Sequence, residues 1–471
     1  MRPRRSRRWF LAAVGAAGTL GIAGCLDRLP GAEEEPTPAD PDPVDTPYDL
    51  SVDHDVEAWP HYDPDWEPPT DSPLDAEYAV ETVIENFEVP WDLAFGENGE
   101  LFVSERIGRI TRYDAGELEA VAEPADVIDH ASSVAPDAEG ADWWGGGSEG
   151  GLLGLTLHPN YPDVPVCYAF YTYEARPPDP DDDDDDGLYE NRLVLYDLAD
   201  GNAETVVIDE IPGHRIVHNG SRIAFGPRNY LWVTTGDANE EALAADLSSL
   251  AGKLLRLEPD GTAPEDAPEW EDPAWDDPRI HSIGHRNAQG IAWLPDGTTL
   301  LTEHGPQARD ELQVAAAGED HGWPDVRGGP DDDSYGRYGD HDDGVTPPLV
   351  NTGPGETWAP SGGVFYTGGE VPALRNRLLV GGLISERLYA VSIFPGGEAP
   401  DIGGERYDAD WLHPDWDAVV HELLVGELGR IRHVAQAPDG TLYAITSNRD
   451  GRSEDFPVEG DDRLVRIVQN G

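Results

Sequence analysis

The sequence predicts an all-β chain, a six-bladed β-propeller of four-stranded antiparallel blades over residues 78–470, and three observations carry that expectation. One pattern recurs six times: an apolar run, a polar turn containing glycine, and a second apolar run. The runs are filled with β-branched and aromatic residues and bounded by Gly, Pro, Asn and Asp, the composition of hairpins. The opening strands begin near residues 91, 152, 222, 291, 362 and 434, so the spacings are 61, 70, 69, 71 and 72. A pair of sandwich domains gives no such even period, whereas one sheet unit per repeat closes a ring.

The repeats follow in order. "PWDLAFGENGELFVSER" (90–106) and "GGLLGLTLHPNYPDVPVCYAFYT" (150–172) each turn at Gly or Pro between apolar runs. In "VHNGSRIAFGPRNYLWVTTGD" (217–237), Ile223-Ala224-Phe225 is set against Leu231-Trp232-Val233-Thr234-Thr235 across a Gly-Pro turn. "AQGIAWLPDGTTLLTEHGP" (288–306), "SGGVFYTGGEVPALRNRLLVGGL" (361–383) and "IRHVAQAPDGTLYAITSNRD" (431–450) complete the set. Between them lie acidic, Gly/Pro-rich inserts at 133–149, 175–190, 262–280 and 328–358, of a length that usually carries function or disorder. The run Asp181 to Asp186 lacks the spaced glycine of a calcium loop and reads as a solvated insert.

Ahead of the repeats, Ser6-Arg7-Arg8-Trp9-Phe10-Leu11 resembles a twin-arginine export signal. The apolar run behind it ends at Gly24 after about 16 residues, short of the roughly 20 a spanning helix needs. Ile22-Ala23-Gly24-Cys25 resembles a lipobox, so residues 1–25 are expected to export the chain and leave it lipid-anchored on the outer face of the membrane. An uncleaved membrane anchor is the alternative. Residues 26–77, rich in Pro, Asp and Glu, are expected to be a disordered tether.

Lys and Arg total 31 against 94 acidic residues, a formal charge of −63, and Lys253 is the single lysine. In molar salt the Debye length falls to about 3 Å and self-repulsion is screened, so the composition points to adaptation to very high salt. A surface selected for cations or a basic partner is the rival reading. Nucleic acid is excluded as a partner, since no basic stripe exists. Besides Cys25 there is only Cys167, which cannot form an intrachain disulfide in the mature chain and reads as a buried strand residue.

Three polar clusters stand at corresponding edges of their repeats: His218-Asn219-Gly220, Gly284-His285-Arg286-Asn287 and Gly429-Arg430-Ile431-Arg432. Two strand residues apart, Arg430 and Arg432 point to one face. Their forks match a carboxylate, either of a ligand or of a protein Asp or Glu.

With "VPWDLAFGENGELFVSER", "EGGLLGLTLHPNY", "HNGSRIAFGP", "LWVTTGD", "GHRNAQGIAW", "EHGP" and "GRIRHVAQAPDGTLYAIT" on the page in this order, the chain resembles the PQQ-dependent aldose sugar dehydrogenases, relatives of soluble quinoprotein glucose dehydrogenase, over roughly 80–467. The resemblance implies oxidation of an aldose to its lactone, with hydride passing to PQQ. It implies His218 as general base, Asp237 as the residue that orients it, and Arg286 on the quinone oxygen. Glu149, Asn287 and His304 would join the cofactor contacts, and Arg430 and Arg432 would bind cofactor carboxylates. A Ca²⁺ would sit on the backbone carbonyls of Gly305 and Pro306, with Asp310 and Glu311 near a second calcium. The implied partners are an aldose and an external electron acceptor, a membrane quinone or a small redox protein.

Three positions depart from the family pattern: Glu149 stands for a glutamine, Ile384 for a lysine, with Arg387 nearby, and His321 for a tyrosine. Gaining an anion and losing a cation is expected to weaken quinone binding by on the order of a few kcal/mol in a low dielectric. Two other functions are weighed beside the dehydrogenase: a calcium-dependent lactone or ester hydrolase on a six-bladed propeller, and a non-catalytic carbohydrate-binding propeller. The identity of the sugar would rest in the long inserts.

Overall fold

The computed structural model describes residues 41–470 apart from 98, 115, 129–147, 179–186, 201–202, 271–276, 341–343, 397–398 and 454. The chain divides into two units, Met1–Pro36 and Thr37–Gly471, and only the second contains described residues. The expected export signal, its Cys25 and the run Asp181 to Asp186 lie outside them. No helix among the described residues is long and apolar enough to cross a membrane.

The fold is an all-β propeller. Four sheets stand as separate four-stranded antiparallel units, opening with the strands Pro90–Phe95, Leu152–Leu157, Gly220–Phe225 and Ala288–Trp293. The strands Pro360–Tyr366 and Ile431–Gln436 lie in a nine-stranded sheet, and Val326–Gly328 and Gly336–Arg337 form a separate two-stranded parallel sheet. Each of the six opening strands touches the next, and Ile431–Gln436 returns to touch Pro90–Phe95. Apolar side chains alternate inward along them and pack between neighbouring sheets, as with Leu153, Tyr168, Ile223 and Val233. Cys167 is fully buried within Val166–Arg176, and burial pushes its thiol up.

The expectation of six separate four-stranded blades needs correction. Residues expected as the last two blades are joined in one nine-stranded sheet through a parallel bridge, Gly362↔His433. The physical reason is Gly362, where a Cβ would lie 2.6 Å from His433 Cδ2. Without a side chain there, the two strands approach closely enough to pair. At its far edge this sheet closes chain end on chain start, with Glu77–Ile84 antiparallel to Leu464–Asn470.

The expected tether is corrected over residues 41–77, its stretch 26–40 lying outside the described residues. Residues 41–77 include two short 3-10 turns, Val56–Ala58 and Pro73–Asp75, capped by the side chains of Asp55 and Ser72. Leu50 and Trp59 are buried, and Trp66 packs edge-on against Phe365 at 5.3 Å. Tyr48 donates to Asp197 at 2.9 Å, and Arg377 donates to the Asp71 carbonyl at 2.6 Å. A few large apolar residues in an otherwise acidic stretch suffice to hold it on the sheets, which composition averaged over the segment concealed.

Candidate active site at the opening ends of the strands

His218 precedes the strand Gly220–Phe225 by two residues and Asp237 follows Leu231–Thr235 by two. The antiparallel pair Gly220↔Thr235 therefore sets them side by side, with His218 Nδ1 2.7 Å from Asp237 Oδ1. Two glycines permit this. Gly220 adopts φ +62, and a Cβ on Gly236 would fall 2.0 Å from the His218 carbonyl oxygen. His218 itself has φ 58, uncommon outside glycine, and its carbonyl accepts from Ala238 N at 3.1 Å. The buried Asp237 carboxylate accepts in addition from Trp323 Nε1 at 2.9 Å and Asn239 N at 2.8 Å. A carboxylate so placed only accepts, so His218 Nδ1 carries the hydrogen and Nε2 is left as a base.

Glu149 is the hub beside them. Its Oε2 accepts from His218 N at 3.2 Å, Asn287 Nδ2 at 3.2 Å and Gln289 Nε2 at 3.3 Å. Its Oε1 accepts from Arg452 Nη1 at 2.8 Å. Burial works against the charge, but Arg452, then His304 and His218, hold this carboxyl well below its usual range. Asn287 also accepts from Gly220 N at 3.0 Å, stitching neighbouring sheets together.

Arg286 donates to the carbonyls of His304 at 3.3 Å and Gly305 at 3.1 Å, and its guanidinium lies 5.4 Å from the Trp323 ring centroid. The His304 Nε2 pairs with the Pro360 carbonyl at 2.9 Å, and burial pulls this imidazole down to about 4. Arg432 lies over Trp91 at 4.0 Å and donates to Gln289 at 2.8 Å. The Nε atoms of Arg286 and Arg432 are buried and find no partner among the described residues. Such orphaned donors, with Asn287, Gln289 and Arg452, fit a planar polyanion such as PQQ.

Arg430 behaves differently from what the resemblance implies: it is buried and donates to Asp450 at 2.7 and 3.0 Å. The reading in which a protein carboxylate takes this fork is therefore the observed one, while Arg432 lies 3.9 Å from the same Asp450.

The four residues expected around calcium do not fit a cation. The Gly305 carbonyl receives Arg286, and the Pro306 carbonyl receives Arg309 Nη1 at 3.0 Å. Asp310 accepts from Gly305 N, Thr357 Oγ1, Trp358 N and Ala359 N, all within 2.7–2.9 Å, and so pins a turn. Glu311 meets Arg327 at 2.8 Å, and Arg327 also meets Glu303 at 2.8 Å, all three side chains being fully buried. A guanidinium thus neutralises Glu311, and hydrogen-bond donors occupy Asp310, the two carboxylates that were expected to face an ion. Among the described residues, no group of three or more His, Cys, Asp or Glu is placed to hold a metal.

The remaining departures resolve as follows. Ile384 is 60 % exposed. Arg387 turns away to Glu422 at 2.7 Å. His321 is buried against His285, ring centroids 4.8 Å apart, and burial holds it well below its usual value.

Farther along the same strands, Asp92 pairs with Arg222 at 2.5 Å and with His433 at 2.7 Å. Beyond this trio opens a cavity of about 700 Å³ lined by Trp59, Phe225, Trp293 and Phe365 among others. It lies toward the opposite ends of the strands from His218, so this cavity is not the candidate site.

Sequence reasoning missed Gln289, Trp323, Arg452, Asp450 and Arg327. Gln289 carried little signal, since the register shift between Ala288 and Gly290 breaks the alternation that would place it. Arg452 and Arg327 carried only the weak signal of being arginines in a chain poor in cations.

The chain matches the family model described as Glucose / Sorbosone dehydrogenase over residues 87–457. It is 26% identical to the aldose sugar dehydrogenase YliI of Escherichia coli K12 over 381 residues, 79% of this chain and 91% of that protein. A glucose dehydrogenase-type oxidoreductase of Thermus thermophilus superposes with TM-score 0.64 at 34% identity, covering 83% of this chain and 100% of that one. The PQQ-bound aldose sugar dehydrogenase of Streptomyces coelicolor does so with TM-score 0.60 at 29% identity, covering 86% of this chain and 100% of its own.

Proposed function

Because the chain belongs to the glucose/sorbosone dehydrogenase family, we propose that it is a PQQ-dependent dehydrogenase that oxidises aldoses at the anomeric carbon to lactones. The observation that supports this most is the His218 imidazole, tied through Nδ1 to Asp237 at 2.7 Å and so left with Nε2 as a base. It stands beside a guanidinium, Arg286, whose buried Nε lacks a partner among the described residues.

PQQ, when bound, supplies the two-electron acceptor. The chain's own residues do the rest. His218 Nε2 takes the proton of the anomeric hydroxyl as the carbon loses its hydride. Asp237 fixes the imidazole's tautomer and stabilises its cation, and Trp323 fixes Asp237. Arg286 holds positive charge where negative charge develops on the acceptor, in a low dielectric that strengthens it. Gln289, Arg432 and Asn287 would hold the cofactor's oxygens. No role is assigned to calcium, whose expected ligands are engaged by Arg286, Arg309 and Arg327.

The same reading counts the nine-stranded sheet as two blades joined at Gly362, which makes six; the closed cycle of six touching opening strands supports it. It takes the chain to be exported and lipid-anchored through Cys25 and to work in high salt, on the strength of the twin-arginine-like start and the charge of −63. Electrons would leave to a membrane quinone or a small redox protein.

The test is dye-linked oxidation of an aldose panel by purified chain in high salt, reconstituted with PQQ, with and without Ca²⁺. Turnover that requires PQQ and disappears in His218→Ala is expected. Absence of both turnover and PQQ binding would overturn the proposal.

A further inference from the structure

We infer that Arg452 is a cofactor-binding residue, the cation that this chain uses against an anionic cofactor in place of a lysine at 384; the inference rests on the quinoprotein reading above. Besides Asp237, which serves the base, the site holds two acidic groups, Glu149 and Asp450, and each has its own arginine. Asp450 is paired with the buried Arg430. Glu149 is paired with Arg452 at 2.8 Å, and here the two partners differ: the Glu149 side chain is 9% exposed and that of Arg452 33%. The carboxylate is therefore fixed, with its other oxygen held by His218 N, Asn287 and Gln289, while the arginine side chain keeps a third of its surface exposed.

Among the described residues Glu149 is the one side-chain hydrogen-bond partner of Arg452, and it engages Nη1 alone. A guanidinium has five donors in a planar fork, so the rest of this one can meet a second carboxylate without releasing Glu149. The loop that carries it is anchored to the arginine pair, since Arg452 N donates to Asp450 Oδ1 at 3.0 Å. Charge agrees with this placement. Burial draws Arg106 down to about 10, with Arg452 and Arg430 repelling it and Asp450 and Glu149 opposing them, so these cations share one neighbourhood. Ile384 offers no charge there and Arg387 is committed to Glu422. Glu149 and Arg452 thus act as a pair: the anion that would repel a tricarboxylate positions the cation that attracts it.

PQQ affinity measured without substrate tests this, by calorimetry or tryptophan quenching on the full chain at fixed salt. Arg452→Gln should weaken binding at least tenfold and flatten its dependence on ionic strength, with Arg452→Lys recovering part of the loss. Arg452→Gln should weaken binding in the Glu149→Gln background as well, where no anion is left to neutralise and only a direct contact with the cofactor can be lost. Affinity unchanged in Arg452→Gln, or a double variant that binds PQQ as tightly as Glu149→Gln alone, overturns the inference and leaves the quinoprotein reading standing. Failure of the parent chain to bind PQQ overturns both.

Discussion

Gly236 lies against the backbone of His218 so closely that a Cβ at 236 would sit 2.0 Å from the His218 carbonyl oxygen. The position of the imidazole is thus set by a missing methyl group in the neighbouring strand end. We expect Gly236→Ala to displace His218 from Asp237 and to lower both the unfolding midpoint and turnover. A variant of full activity would show that the strand ends tolerate separation and that the base is not held this way.

Asp237 tests the base more gently, since Asp237→Asn keeps the shape and removes the charge. An amide in that place can donate to Nδ1, which moves the imidazole hydrogen to Nε2. We expect turnover to fall about 10²- to 10⁴-fold with the KM for sugar little changed. Steady-state kinetics across pH checks it, and an unaltered rate would remove Asp237 from the mechanism.

Arg327 lies between Glu303 and Glu311 in full burial. Burial already pushes Glu311 up to about 7 despite this neighbour. Arg327→Met would leave two buried carboxylates uncompensated, a loss of about 3–5 kcal/mol, readable in denaturant unfolding. Because a guanidinium and not an ion neutralises the pair, EDTA should leave the parent's unfolding midpoint where it was.

The seam at Gly362 makes a separate prediction. An added Cβ meets His433 Cδ2 at 2.6 Å and Arg222 Nη2 at 2.7 Å, in contact with the Asp92 trio. Gly362→Ala should cost about 1–3 kcal/mol through overpacking, again measured by denaturant. A neutral outcome would mean that the two strands part without penalty.

Acid should destabilise the fold in a defined window. Burial pulls His281 down to about 3 and His304 to about 4, against about 6.5 in an unfolded chain. Between those values the unfolded chain binds protons that the folded chain does not. Stability is therefore full above pH 6.5 and is lost as pH falls toward 4, at about 1.4 kcal/mol per unit for each group. Melting midpoints from pH 7 to 4.5 check the slope, and His281→Gln should flatten it.

How far the sequence reached depended on whether a feature was local. The turn glycines, the alternating apolar runs and the even spacing are properties of short segments, so the strands, their hairpins and the ring-like order were legible. The meeting of His218 with Asp237 was implied by the resemblance alone, and the antiparallel pairing of Gly220 with Thr235 is what brings it about. Averages misled where a few residues decide: Leu50, Trp59 and Trp66 hold down a segment whose composition reads as disorder.

Taken alone, the sequence determined that this protein is built of repeated β units and that it is strongly anionic, while the pairing of His218 with Asp237 came from its resemblance to a family. Only the tertiary structure decided which arginine serves which acid: Arg430 with Asp450, Arg452 with Glu149, Arg327 with Glu303 and Glu311. The reason is physical. Strand pairing and turns act between near neighbours and leave a mark in the residue pattern, whereas a charge pairs with whatever opposite charge the closed ring brings within a few ångströms, and in a chain with 94 carboxylates that choice is made by distance in space.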